Sequence, residues 1–92
     1  MSQSDIERRL EEAKLVGRSI EDVSAMLRTI RSSGGDSLVI RPYDRVLRRL
    51  SATIPNARRD LFWQWRLDVN VQFDQSGRAT SYEVYYFTDQ AP

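Results

Sequence analysis

Residues 61–87 read LFWQWRLDVNVQFDQSGRATSYEVYYF. Every odd position from 61 to 73 is apolar and every even position from 64 to 72 is polar. This is the period of two by which a strand buries one face and wets the other. The pattern predicts a strand over 61–73 and an antiparallel partner over 79–88. Ser76-Gly77 suits a two-residue primed turn, which pairs Gln75 with Arg78. Tyr82 then lies opposite Val71, Val84 opposite Val69 and Tyr86 opposite Leu67. A slip of one residue would set Glu83 against Val69 and bury a carboxylate, so turn and pattern agree. The inward face becomes Trp63, Trp65, Leu67, Val69, Val71, Phe73, Tyr82, Val84 and Tyr86.

Such a strand spans roughly 44 Å at about 3.4 Å per residue, longer than most, so a bend or bulge is expected near residues 65–67. Residues 61–63 overrun their hairpin partner and either pair with residues 38–40 or present an open edge. The outer face carries Phe62, Arg66, Tyr85 and Phe87, with Arg66 directly across from Phe87. Three aromatics on a face turned to water need a cover or a partner, since exposed apolar patches of that size mark interaction sites. The covers at hand are a third helix and the chain's tail.

Upstream, Ser4 and Glu7 form a capping box, and Ile6, Leu10 and Ala13 recur at helical spacing, predicting a first helix of about ten residues. Leu15, Val16 and Gly17 break it. Ser19 and Asp22 repeat the cap signal ahead of Val23, Met26, Leu27 and Ile30, a second helix ending near Arg31. SSGGDS at 32–37 reads as a loop. Leu38, Val39 and Ile40, closed by Pro42, suit an edge strand. Asp44 is placed to cap a third short helix, with Val46, Leu47 and Leu50 on one face and Arg45, Arg48 and Arg49 largely on the other. Pro55 and Asn56 stop it. The predicted fold is α+β in a single domain, 1–92: two N-terminal helices, a short edge strand, a short basic helix and a long C-terminal hairpin completing a three-stranded sheet.

Ninety-two residues support one modest core, since a chain of this size buries only roughly 60–65% of its unfolded surface. With 40% hydrophobic and 29% charged residues, it has none of the hydrophobic poverty that marks disorder. The chain lacks cysteine and histidine, which removes disulfides, thiolate zinc sites, cysteine nucleophiles and imidazole acid/base chemistry. Its 13 acids are interspersed among 14 bases, with no DxD-type or paired cluster for a carboxylate-only site. No enzyme activity, catalytic residue, metal, cofactor or small-molecule substrate is therefore expected. No window approaches the roughly 18 apolar residues of a membrane span, and the polar start MSQSDIERRLEEAK has no apolar leader, so a cytoplasmic protein is expected, or a periplasmic one if a leader has been removed.

Two segments resemble a known family. LVGRSIEDVSAML at 15–27 and WQWRLDVNVQFDQSGRATSYEV at 63–84 resemble the glycine-plus-capped-helix segment and the tryptophan-bearing hairpin of the SmpA/OmlA (BamE-type) family of small bacterial domains. The resemblance implies two helices packed on a small antiparallel sheet and a protein-binding module.

Three functional readings stay open. One is a protein-interaction module, binding a protein partner or a second copy of itself through Phe62, Arg66, Tyr85 and Phe87, because aromatics and arginine anchor interfaces. Another is binding of nucleic acid or another polyanion through Arg41, Arg45, Arg48, Arg49, Arg58 and Arg59, since residues 41–60 carry a net +4 and clustered arginines neutralise phosphates. Against it stands a solvated helix face paired with Glu7, Glu11 and Glu12. The third is a small inhibitor or immunity-like protein of a mobile element.

Overall fold

The computed structural model describes residues 3–30, 38–59 and 63–90, with side chains over 6–30, 38–54 and 66–85. Two helices, α1 (Gln3–Glu12) and α2 (Ile20–Leu27), lie on an antiparallel sheet of β1 (Val39–Ile40), β2 (Arg49–Arg59), β3 (Trp63–Phe73) and β4 (Ala79–Gln90), in the order β1-β2-β3-β4. The α+β class agrees with the sequence. The third helix does not exist, and the sheet has four strands where three were expected.

The helix α1 buries Ile6 and Leu10 completely. It begins at Gln3, which places Ser4 inside the first turn instead of ahead of it. At its other end Lys14 takes a left-handed conformation, φ 52°. The Leu15 N–H then donates to the Leu10 carbonyl (3.2 Å) and the Lys14 N–H to that of Glu11 (3.0 Å). This is the Schellman arrangement, and its two apolar members, Leu10 and Leu15, are both buried. Gly17, φ 93°, is left-handed too, and its N–H donates to the Ala79 carbonyl at 2.7 Å, while Ala79 N–H returns a bond to Arg18. The helix connection is thereby tied to the first residue of β4. Ser19 caps α2 as expected, its hydroxyl accepting from Asp22 N–H at 3.2 Å. The helix ends at Leu27 and not near Arg31, although Ile30 beyond it is still buried.

The hairpin has the expected register: Val69 faces Val84, Val71 faces Tyr82, Leu67 faces Tyr86 and Arg66 faces Phe87. Its turn differs. Asp74 pairs with Arg78 around the three residues 75–77, with Gly77 left-handed at φ 80°. One Asp74 oxygen accepts from Ser76 N–H, Ser76 Oγ and Arg78 N–H at 2.7–3.0 Å. These bonds hold its carboxyl below the usual range, that from Arg78 N–H contributing most. The extra loop residue is absorbed at Thr80: Phe73 faces Ala79 while Gln72 faces Ser81. A bulge cancels the longer turn, so the predicted pairing survives a different connection.

The larger correction concerns residues 44–59. Asp44 pairs with Arg49 through N–H···O bonds of 2.9 and 3.1 Å, closing a four-residue loop, 45–48, with Arg48 left-handed at φ 53°. Asp44 Oδ1 accepts from the N–H of Val46 and Leu47, both at 2.9 Å. This is the chemistry of a helix cap used in an Asx-type turn. Val46 is 91% exposed and Leu47 52%, whereas Leu50 is buried; the apolar face assigned to the helix is a loop tip followed by a strand. Pro55 and Asn56 end nothing, because β2 runs past them. There three residues, 55–57, lie between the Ile54–Leu67 and Arg58–Trp65 pairs, where β3 has only Arg66. Proline cannot donate to a ladder, and a bulge is where a strand tolerates it. The irregularity expected near 65–67 is thus present, in the neighbouring strand.

β1 is the expected edge strand, with Val39 opposite Thr53 and Ile40 opposite Ala52. Trp63 does not overrun the hairpin but pairs with Gln90. The loop at 32–37 and the start of the strand at 61 and 62 lie outside the described residues. The core gathers Leu50, Ala52 and Ile54 of β2, Leu67, Val69, Val71 and Phe73 of β3, Ala79 and Val84 of β4, and the helices' Ile6, Leu10, Val23 and Leu27. Tyr82 packs at its edge under α1. Burial pushes its phenol up, and the negative Glu11 and Glu7 add to the shift. The side chains of Trp63, Trp65 and Tyr86, also assigned to the inner face, lie outside the described residues.

Candidate functional site: the open face of the sheet

Both helices pack on one face of the sheet; the residues turned the other way form a largely polar surface that also carries Val39, Tyr85 and Phe87. Its rows follow from the register. Arg49, Gln72 and Ser81 lie side by side; next come Ser51, Asn70 and Glu83; then Thr53, Asp68 and Tyr85; and finally Arg66 with Phe87. Cross-strand bonds lock β2 to β3. Ser51 Oγ donates to Asn70 Oδ1 at 2.7 Å and Thr53 Oγ1 to Asp68 Oδ1 at 2.8 Å. The other Asp68 oxygen takes the Arg66 guanidinium, Nε to Oδ2 3.3 Å. Gln72 Nε2 reaches the Leu47 carbonyl at 2.7 Å and ties the β1–β2 loop to this face. On β4, Tyr85 donates its hydroxyl to the Glu83 carboxylate at 2.5 Å. That bond is the main cause of a raised phenol pKa.

Of the four residues expected to meet a partner, Arg66 and Tyr85 do share this face. Arg66 is half-buried, its side chain 41% exposed and ion-paired; Tyr85 is 40% exposed. Phe87 shares it by register, opposite Arg66, its side chain outside the described residues. Phe62 lies outside them altogether. The third helix named as a possible cover is absent, so that cover is removed.

The six arginines do not form one surface. Arg45 and Arg48 sit in the β1–β2 loop, Arg49 starts β2 on the open face, and Arg41 follows β1, its N–H bonded to Ser51 at 2.9 Å. Arg58 and Arg59 end β2, paired with Trp65 and Gln64, seven and eight residues along β3 from Gln72, the partner of Arg49, so roughly 25 Å from it at the rise of a strand. Helical spacing had placed Arg45, Arg48 and Arg49 largely on one face; instead Arg45 and Arg48 lie in a loop and Arg49 in a strand. Glu7, Glu11 and Glu12 belong to α1, which packs against β4, whereas the arginine loop joins β1 to β2.

The polar members of the face, Ser51, Thr53, Asp68, Asn70 and Glu83, were missed as site residues. Those on β3 and β4 were legible as the polar half of the alternation, but Ser51 and Thr53 required LSATI to be read as a strand. The arrangement offers hydrogen-bonding groups already fixed in position, balanced in charge between Arg49, Arg66, Asp68 and Glu83. Among the described residues no cluster of acids is placed to hold a metal ion, and no helix is long and apolar enough to cross a membrane. No protein-family model, no curated protein and no solved structure matches this chain.

Proposed function

We propose that the chain is a small non-enzymatic protein-interaction module that binds a protein partner, a second copy of itself included, through the open face of the sheet around Arg66, Tyr85 and Phe87. The observation that carries the reading is Tyr85, a large ring standing exposed on a strand, its hydroxyl fixed by Glu83. A tyrosine held in one orientation on a rigid sheet loses little freedom on binding, which is why such rings anchor interfaces. Arg66, oriented by Asp68 two positions along the same strand, supplies a second anchor type. Area does not limit the reading. The molecule measures 45 × 27 × 17 Å, and its broad face exceeds the roughly 800 Å² per partner of a standard interface.

The test is the double variant Tyr85→Ser, Phe87→Ser. Both positions lie on the face away from the core by register, so thermal unfolding is expected to stay close to the native chain's. Self-association, measured as molecular mass in solution, or capture of a partner retained by the native chain, is expected to be lost, since a central anchor contributes about 2 kcal/mol or more. A variant that unfolds, or one that associates normally, overturns the reading.

A further inference from the structure

We infer that the flank between α2 and β1 is a second interaction surface, a groove that takes an acidic polypeptide segment bearing aliphatic side chains. Two shallow depressions, about 440 and 800 Å³, lie side by side and are both lined by Ile20 and Tyr43. The first has an apolar floor that includes Leu38, Ile40 and Leu50, and is bordered by Arg28, just past the end of α2, and Arg41 after β1. The second is bordered by Arg45 and Arg48 of the β1–β2 loop and reaches the β3–β4 turn. Among the described residues, four arginines therefore line this partly aliphatic flank, together with two carboxylates, Glu21 and Asp74. One oxygen of Asp74 is already engaged by its own turn.

The loop backbone that carries Arg45 and Arg48 is held by hydrogen bonds. Asp44 Oδ1 pins the loop from inside through Val46 and Leu47, and Gln72 pins it from the sheet through the Leu47 carbonyl. The Tyr43 ring stands edge-on to Phe73, centroids 5.5 Å apart and planes at 89°. A loop backbone already held in place lowers the ordering cost of binding. Guanidinium groups pair with carboxylates in two-pronged bonds, and the apolar floor rewards aliphatic side chains between them. Nucleic acid fits less well. Single strands need exposed rings on which bases stack, whereas Tyr43, the one aromatic among the described residues that line this surface, packs against Phe73, and Arg58 and Arg59 lie at the far end of β2.

The test is selection of a phage-displayed random-peptide library on the immobilised full chain, followed by solution affinities of the enriched peptides. Enrichment of acidic residues interleaved with aliphatic ones is expected. Arg45→Glu with Arg48→Glu is expected to weaken the selected peptides by about tenfold or more, as reversing charges at a complementary interface does. Arg41→Glu, outside the loop, provides the same readout should the loop pair disturb folding. The Tyr85→Ser, Phe87→Ser variant is expected to bind these peptides unchanged, which separates this surface from the open face. The inference is overturned if no peptide is enriched, if the enriched peptides carry no net negative charge, or if the arginine variants bind as the native chain does. Displacement of the peptides by a single-stranded oligodeoxynucleotide of equal charge at equal or lower concentration would assign the channel to nucleic acid instead.

Discussion

Lys14 shows how a single residue can be right for the fold and wrong for its own backbone. Its left-handed φ of 52° lets the last turn of α1 satisfy two carbonyls and brings Leu15 down beside Leu10. A side chain with a Cβ pays roughly 1–2 kcal/mol for that conformation, and glycine does not. Lys14 is exposed, so its side chain offers little packing in return. Lys14→Gly is therefore expected to stabilise the chain by about 0.5–1 kcal/mol, after allowing for the greater freedom of glycine in the unfolded state. Chemical denaturation would show this as a higher midpoint at an unchanged slope; a midpoint that falls would mean that the lysine side chain contributes a contact outweighing the strain. Asp44 and Asp74 make the complementary point, since each short carboxylate gathers the amides of its own turn. The same residue type caps helices by the same bonds, which is why Asp44 was legible as a capping residue and illegible as the start of a hairpin loop.

Among the elements, the β3–β4 hairpin was legible because period-two alternation on both strands is redundant, and any slip would bury Glu83. β2 was not. Its core-facing residues, Leu50, Ala52 and Ile54, alternate with Ser51 and Thr53, yet this signal covers only five residues and follows RVLRR, whose Val46, Leu47 and Leu50 also fit one face of a helix. Pro55 then read as a stop, whereas the strand carries it in a bulge. Ser51 and Thr53, which bond Asn70 and Asp68, went with that strand, so the site was recognised by its aromatics and not by the hydrogen-bonded polar rows around them. The inner and outer faces can be separated experimentally at neighbouring positions of β3. Val69, fully buried, is expected to unfold the domain as Val69→Asp, because an unpaired carboxylate in the core costs several kcal/mol of a total near 5–10. Gln72→Asp would be nearly silent if its side chain only met water, but Gln72 holds the Leu47 carbonyl. The loss of that bond is expected to cost about 0.5–1.5 kcal/mol. Thermal melts of the two variants decide between these assignments, and equal destabilisation would mean that the faces are not distinct.

For the whole molecule, the two-layer build sets how it must unfold. The helices, of ten and eight residues, are shorter than the roughly 12–15 residues at which an isolated helix becomes even marginally stable in water. Their persistence depends on a single cluster that joins Ile6 and Leu10 of α1 and Val23 and Leu27 of α2 to all three long strands. The sheet depends on the same cluster, since without the helices its inner row of valines and leucines would face water. One cooperative transition is therefore expected, with far-UV circular dichroism, which reports the helices, coinciding with the fluorescence of Trp63 and Trp65 in β3. Leu27→Ala sharpens the test. The side chain is fully buried, and its truncation is expected to cost about 2–5 kcal/mol. At about 4–8 °C per kcal/mol for a domain of this size, both signals should fall together by roughly 10 °C or more. If the dichroism of the variant melts first while the tryptophan signal keeps its native midpoint, the sheet stands without α2, and the groove on that flank loses its helical wall before the open face is disturbed.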